Sequence, residues 1–209
     1  EKLGWINRMS KKNILVTGGA GFIGSNLVDQ LIDDGYVVTV IDDLSTGLKE
    51  NENPTAEYLY EDLRALGNKE CGLDKILIDR SISVVFHLAA SADIKLSMDF
   101  PEQVYEANLT ASLALANACD RTGVKSFVFA STSAVFGDPL YLPVDEQHPF
   151  NPISPYGLSK LAFEQYLVYF SKRSCTNYTV LRFPNVYGIR QREDLEGGVV
   201  AIFKGLIDK

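Results

Sequence analysis

The segment "LVTGGAGFIGSNLVDQLIDDG" limits the folds open to this chain more than any other stretch. An apolar run, "NILVTG" (13–18), leads into it, and a helical pattern over 22–34 leads out. Between them Gly18, Gly21 and Gly24 are spaced G-x-x-G-x-x-G. Glycines there let the chain turn tightly, let backbone approach a diphosphate, and let helix pack closely on strand. The helix N-terminus adds N–H donors and a partial positive charge. Asp42 closes the next apolar run, 18 residues beyond Gly24. An acid there accepts hydrogen bonds from ribose hydroxyls and repels a 2′-phosphate. Asp43 adds a second negative charge, and no Lys or Arg follows before Lys49. Together these features predict a dinucleotide site that favours NAD over NADP.

Further runs rich in Val, Ile, Leu and Phe recur at 37–42, 57–62, 83–89, 126–132 and 178–183. Several are apolar on consecutive residues, as strands covered on both faces are. Helical patterns separate them, at about 73–80, 101–122 and 155–173. The alternation predicts an α/β fold: a Rossmann-like, doubly wound parallel sheet with right-handed crossovers and helices on both faces. The 101–122 helix carries Ala, Leu and Val on more than one face, so it needs cover on two sides. The sheet supplies one; the other is either the chain itself or a second copy, docked through helices 101–122 and 155–173 as a homodimer. The Pro-rich segment 139–155 reads as one ordered loop.

Chemistry concentrates in two places. In "NPISPYGLSKLAFEQYL", Ser154 suits an N-cap and Pro155 the first helical position. Tyr156 and Lys160, four residues apart, then share one face of the helix. A phenol is a poor base at neutral pH, but a neighbouring ammonium favours its phenolate form. Such a pair beside a dinucleotide can move a proton on a hydroxyl as hydride is exchanged. The third member should be a small hydroxyl at a strand end, and "STSAVFGDP" (131–139) offers three. Cys71, Cys119 and Cys175 lack metal-ligand spacing and read as buried free thiols of a reducing cytoplasm. No metal site is expected, and His87, closing the run 83–89, reads as a packed, hydrogen-bonded histidine.

These motifs identify a family. "TGGAGFIG", "DDLSTG", "HLAA", "STSAVFGDP", "SPYGLSK" and "RFPNVYG" resemble the NAD-dependent sugar-nucleotide epimerase/dehydratases, the extended branch of the short-chain dehydrogenase/reductases. The resemblance runs from about Lys12 to the end of the chain. It implies that Phe22 and Ile23 lie at the diphosphate and that Asp42, Asp43, Leu44, Ser45, Thr46 and Gly47 surround the adenosine ribose. Asp62 and Leu63 would contact adenine, and Leu88, Ala89, Ala90, Ser91 and Ala92 the centre of NAD. Asn108 would steady the loop near the active site, Pro184 would lie by the nicotinamide, and Asn185 and Ser133 would meet the sugar nucleotide. A lysine that some members place just after strand 83–89 is missing; Lys95 is the nearest.

Counted back from Gly137, the family's catalytic hydroxyl falls on Thr132, with Ser131 and Ser133 as expected neighbours of cofactor and substrate. Dehydratases resemble "TDEVYG" here, because loss of water needs a proton donor and a base. This chain has Ser133 and Ala134 at those acids. The resemblance therefore implies C4 epimerisation of a UDP- or dTDP-hexose, with a dehydratase, a reductase or a catalytically silent NAD-binding protein as alternatives.

Composition narrows the rest. The 209 residues suffice for one buried domain plus part of another. A net charge of −7 speaks against nucleic acid as a partner, and no apolar run reaches the roughly 18–20 residues that span a membrane. A cytoplasmic location follows as the expectation. Residues 1–11 read as a disordered leader or expression remnant, 12–188 as the NAD-binding domain, and 189–209 as the start of a truncated substrate-binding portion. On that reading NAD binding is intact in these 209 residues and sugar-nucleotide binding impaired.

Overall fold

Apolar side chains on both faces of the central strands decide the architecture. The structure, a computed structural model, describes residues 12–68, 72–193, 200, 203, 206 and 207. Within them β1 (Asn13–Thr17), β2 (Val37–Ile41), β3 (Glu57–Leu59), β4 (Ile82–His87), β5 (Ser126–Thr132) and β6 (Asn177–Phe183) form one sheet. The order is β3-β2-β1-β4-β5-β6, and every pairing is parallel. In β1, Ile14 and Val16 enter one core and Leu15 the other, as alternation along a strand requires. The first core is closed by α1 (Phe22–Asp33), through Val28 and Leu31.

The opposite face is covered by α2 (Leu63–Asn68), α3 (Gly72–Asp79), α6 (Ala111–Thr122) and α7 (Pro155–Ser171). Phe127, Phe129 and Phe163 are fully buried there; truncating any one to Ala should cost ~3–5 kcal/mol. The expected α/β doubly wound sheet is the observed fold.

The register positions the site. Thr17 of β1 stands level with Ile41 of β2 and His87 of β4. Gly18, Asp42 and Leu88 therefore leave the sheet at one edge. Strand order reverses between β1 and β4, which opens a crevice at that edge. β5 pairs with β4 only as far as Phe129 but with β6 as far as Thr132. Its last three residues thus carry Thr132 past the end of β4.

Some elements differ from expectation. β3 is shorter than 57–62. α2 and α4 (Ile94–Asp99) were not anticipated, because six residues show too little of a 3.6-residue period. The 101–122 helix is α5 (Pro101–Tyr105), a π-turn over Glu106–Thr110, and α6. Cys119 is free and buried, whereas Cys175 is free but exposed, since it sits on the turn after α7 rather than in a core. Cys71 and residues 1–11 lie outside the described residues, as do most positions from 194 onward. Among the described residues no helix is long and apolar enough to cross a membrane.

Candidate active site

The glycine turn forms the floor of a groove of about 580 Å³ at the crevice. Gly18 has φ +73°, and a Cβ there would stand 2.8 Å from the Ala89 nitrogen. A Cβ on Gly24 would reach 2.0 Å from the Gly18 carbonyl oxygen, so helix and turn can meet only if this residue has no side chain. Gly21 is the N-cap of α1 and offers no side-chain cap. The first-turn N–H groups at Phe22 and Ile23, both on the groove wall, are thereby left for an anion.

At one end Asp42 is buried, with Oδ2 accepting from the Ala20 amide at 2.9 Å and Oδ1 from the Leu44 amide at 2.9 Å. Burial pushes its carboxyl up from the ordinary value, and the two amides oppose that push. Asp43 accepts from the Ser45 amide at 2.9 Å. Asp42, Asp43, Ser45 and Thr46 line the groove. Leu44 and Gly47 shape the loop instead: Leu44 has φ +57°, and a Cβ on Gly47 would crowd Asp42 Oδ1 at 2.8 Å. Asp62 and Leu63 line the same end, and Arg64, paired with Asp62 at 2.8 Å, holds that carboxyl below its usual range.

Leu88, Ala89, Ala90 and Ser91 also line the groove, while Lys95 lies exposed on α4. A buried chain of hydrogen bonds holds this loop. The Ala89 amide donates to Thr17 Oγ1 at 3.2 Å, and Thr17 Oγ1 meets His87 Nδ1 at 2.7 Å. His87 Nε2 meets Ser112 Oγ at 2.7 Å, and Ser112 donates to the Asn108 carbonyl at 2.6 Å. That donor count assigns the ring proton to Nε2. Burial, with the nearby Lys160 charge, lowers His87 to about 3, so the ring is neutral.

Asn108 takes up the chain from there. Its Oδ1 accepts from the Ser91 amide at 2.8 Å, and its Nδ2 donates to Ser91 O at 2.8 Å and Ser159 Oγ at 3.1 Å. Asn108 stands inside the π-turn, where the Ala111 amide reaches back five residues to Glu106. Ser159 in turn donates to the Tyr156 carbonyl at 2.7 Å. Asn108 is buried off the groove wall, as a fastener of the loop.

Thr132 ends β5 and caps a short turn, Ser133–Val135, by accepting from the Ala134 amide at 3.1 Å. α7 begins against that turn: a Cβ on Gly157 would stand 2.7 Å from the Ala134 carbonyl oxygen. The next residue along from Tyr156 is thus the close contact with the turn that carries Thr132 and the exposed Ser133. Ser154 caps α7 by accepting from the Gly157 amide at 3.1 Å, and Tyr156 is half-buried. Lys160 is buried and donates to the Ala130 carbonyl at 3.0 Å, with its ammonium 4.8 Å from the centre of the Phe129 ring. Phe183 pairs with Thr132, so Pro184 and Asn185, both exposed, leave the sheet beside the same turn.

Ser131 departs from its expected place. It follows Phe127 and Phe129 on the face of β5 that packs on α7, and its hydroxyl is hydrogen-bonded to buried Glu164. The sequence reading also missed a groove wall. Arg190, Gln191 and Arg192 line it, with Arg190 paired to Asp29 of α1 at 2.7 Å and Arg192 donating to Thr46 O at 3.3 Å. No local pattern links these residues to Asp42; only the fold brings them together. Among the described residues no cluster of three or more His, Cys, Asp or Glu could hold a metal ion.

A glycine-floored crevice at the point where strand order reverses classes this chain with the Rossmann-type dinucleotide-binding domains. The family follows from comparison. A model of the NAD dependent epimerase/dehydratase family matches residues 14–205, and the chain belongs to that family. It is 43% identical to the UDP-glucose 4-epimerase of Thermotoga maritima, solved with UDP-glucose; the match has a TM-score of 0.86 over 91% of this chain and 61% of that one. The Thermus thermophilus UDP-glucose 4-epimerase, solved with NAD, is 41% identical with a TM-score of 0.84, over 91% and 61% of the two chains. A UDP-N-acetylglucosamine 4-epimerase from Methanobrevibacter ruminantium, in complex with UDP-N-acetylmuramic acid, is 41% identical with a TM-score of 0.87 over 95% and 63%. The chain spans about half to three fifths of the length of the first curated relatives it matches.

Proposed function

We propose that the full-length protein is an NAD-dependent nucleotide-sugar epimerase that interconverts UDP-hexoses at C4 through a transient 4-ketone. The observation that carries this reading is the corner where the Thr132 turn meets the start of α7, with Tyr156 and Lys160 on it and Ser133 and Ala134 in place of two acids. The groove fits NAD: Gly18 and Gly24 leave space where any Cβ would strike backbone, and the acid Asp42 lines it where the adenosine ribose would sit.

NAD held in this groove would supply reversible hydride exchange at C4 of the sugar. The chain's own residues handle proton and position. Tyr156 removes the proton of the C4 hydroxyl and later restores it, Thr132 hydrogen-bonds the same oxygen, and Lys160 favours the phenolate and holds the nicotinamide ribose. Gly21 to Gly24 would hold the diphosphate, Asp42, Asp43, Ser45 and Thr46 the ribose on the loop that Leu44 and Gly47 shape, Asp62 and Leu63 the adenine, and Leu88 to Ser91 the centre of the cofactor. Pro184 would lie by the nicotinamide, and Ser133 and Asn185 would meet the sugar nucleotide. Residues 12–188 serve as the NAD-binding domain and 189–209 begin the part that grips substrate, in the cytoplasm.

Incubating full-length protein with UDP-galactose and separating products by chromatography tests this. Epimer should form without net consumption of NAD. No epimer from any UDP-hexose or UDP-N-acetylhexosamine overturns the reading.

The proposal includes a homodimer. A groove of about 1030 Å³ runs between α5–α6 and α7, with Leu109, Ala114 and Ala162 on its walls. Tyr105 and Leu158 stand at its rim 54% and 58% exposed, and together with the walls they make an apolar surface that a second copy would cover.

A further inference from the structure

We propose that Glu164 is a positioning residue for the catalytic corner, acting through Ser131 and Arg182. The inference rests on the epimerase reading above and names a group which that reading leaves out. Glu164 is 2% exposed, and its carboxylate accepts from three donor atoms on two residues. Ser131 donates its hydroxyl to Oε1. Arg182 of β6 donates through Nη2 at 2.8 Å and through Nε at 3.1 Å.

Glu164 lies one helical turn beyond Lys160, on the same face of α7. Lys160 holds the carbonyl of Ala130, and Glu164 holds the side chain of Ser131. Consecutive residues at the end of β5 are thus fastened by consecutive turns of α7, immediately before Thr132. A third turn, at Gly157, abuts the carbonyl of Ala134. Arg182 extends the hold to the connecting loop. Its guanidinium lies 5.5 Å from the Phe136 ring centre and 4.6 Å from that of Phe150, and those two rings stack at 5.7 Å. Phe136 and Phe150 bracket the loop that runs from the Thr132 turn to α7. One carboxylate therefore ties together strand end, loop ends and helix, the three pieces that set the placement of Thr132 relative to Tyr156.

Stability alone is a weak reason to bury such a group, because an apolar replacement of a buried ion pair is often neutral or better. Placement of reacting groups is a stronger one, since a shift near 1 Å can cost on the order of 100-fold in rate.

The test uses Ser131→Ala, which leaves both members of the Glu164–Arg182 ion pair in place, and Glu164→Gln, both in full-length protein. Melting temperature and bound NAD show that each variant is folded and loaded. Turnover should then fall about tenfold in S131A and about 100-fold in E164Q, with KM for UDP-galactose within about threefold of wild type. Backbone amide exchange at Ala134 to Phe136, read in the same proteins, should accelerate in both. Wild-type turnover with only a lowered melting temperature overturns the proposal. If E164Q does not fold, S131A decides alone. If wild type itself forms no epimer, the epimerase reading fails, and exchange decides separately whether the clamp exists: unchanged exchange overturns it.

Discussion

At the scale of single residues, burial sets how His87 responds to acid. The folded protein holds it near 3 against an ordinary 6.5. Between those values the unfolded chain binds a proton that the folded chain refuses, so this residue's contribution to stability is complete above about 6.5 and is lost progressively as pH falls toward 3. Urea midpoints should drop between pH 7 and pH 5 more steeply in wild type than in His87→Gln; parallel drops would contradict this assignment. Tyr156→Phe removes the proposed acid–base group without touching the groove. We expect turnover to fall ~10²–10⁴-fold, with NAD affinity by titration calorimetry unchanged. Residue types in the right spacing put Tyr156 and Lys160 on one helix face, whereas the assignment of Thr132 came from the family resemblance. Spacing could not sort the three neighbouring hydroxyls, because Ser131's partner is set by which face of β5 meets α7.

At the scale of elements, close packing between turn and helix makes Gly24 irreplaceable. A methyl group at Gly24 would lie 2.0 Å from the Gly18 carbonyl, with backbone rather than a flexible side chain in the way. Gly24→Ala should lose about 1–3 kcal/mol of stability in chemical denaturation and weaken NAD binding as α1 shifts. Gly35→Ala is the control: its φ of +84° is strained for Ala, but nothing lies within 4 Å, so NAD binding should persist. Long, strongly apolar elements were legible from periodicity. The π-turn was not, since Asn108 earns that distortion only through its bonds to Ser91 and Ser159, 17 positions before it and 51 after it in the chain.

At the scale of the whole molecule, the channel between α5–α6 and α7, with Tyr105 and Leu158 exposed at its rim, is the surface proposed above for a second copy. Leu158→Glu places a charge on its exposed rim. Sedimentation velocity should show a dimer for wild-type full-length protein and a monomer for L158E; equal masses would argue against the channel as the interface.

The sequence by itself determined a parallel, two-sided sheet, a glycine turn at its first strand end, an acid at its second, and a tyrosine–lysine pair on one helix face. Each of these is a local pattern, written in hydrophobic period or in spacing over a few residues. The tertiary structure decided which of those pieces face one another. Register carried Thr132 past β4 and beside Phe183. Folding back of the chain after β6 brought Arg190 and Arg192 to the groove, and strand alternation gave Ser131 to Glu164. Such contacts join residues far apart in sequence, so no local pattern records them and only packing selects them.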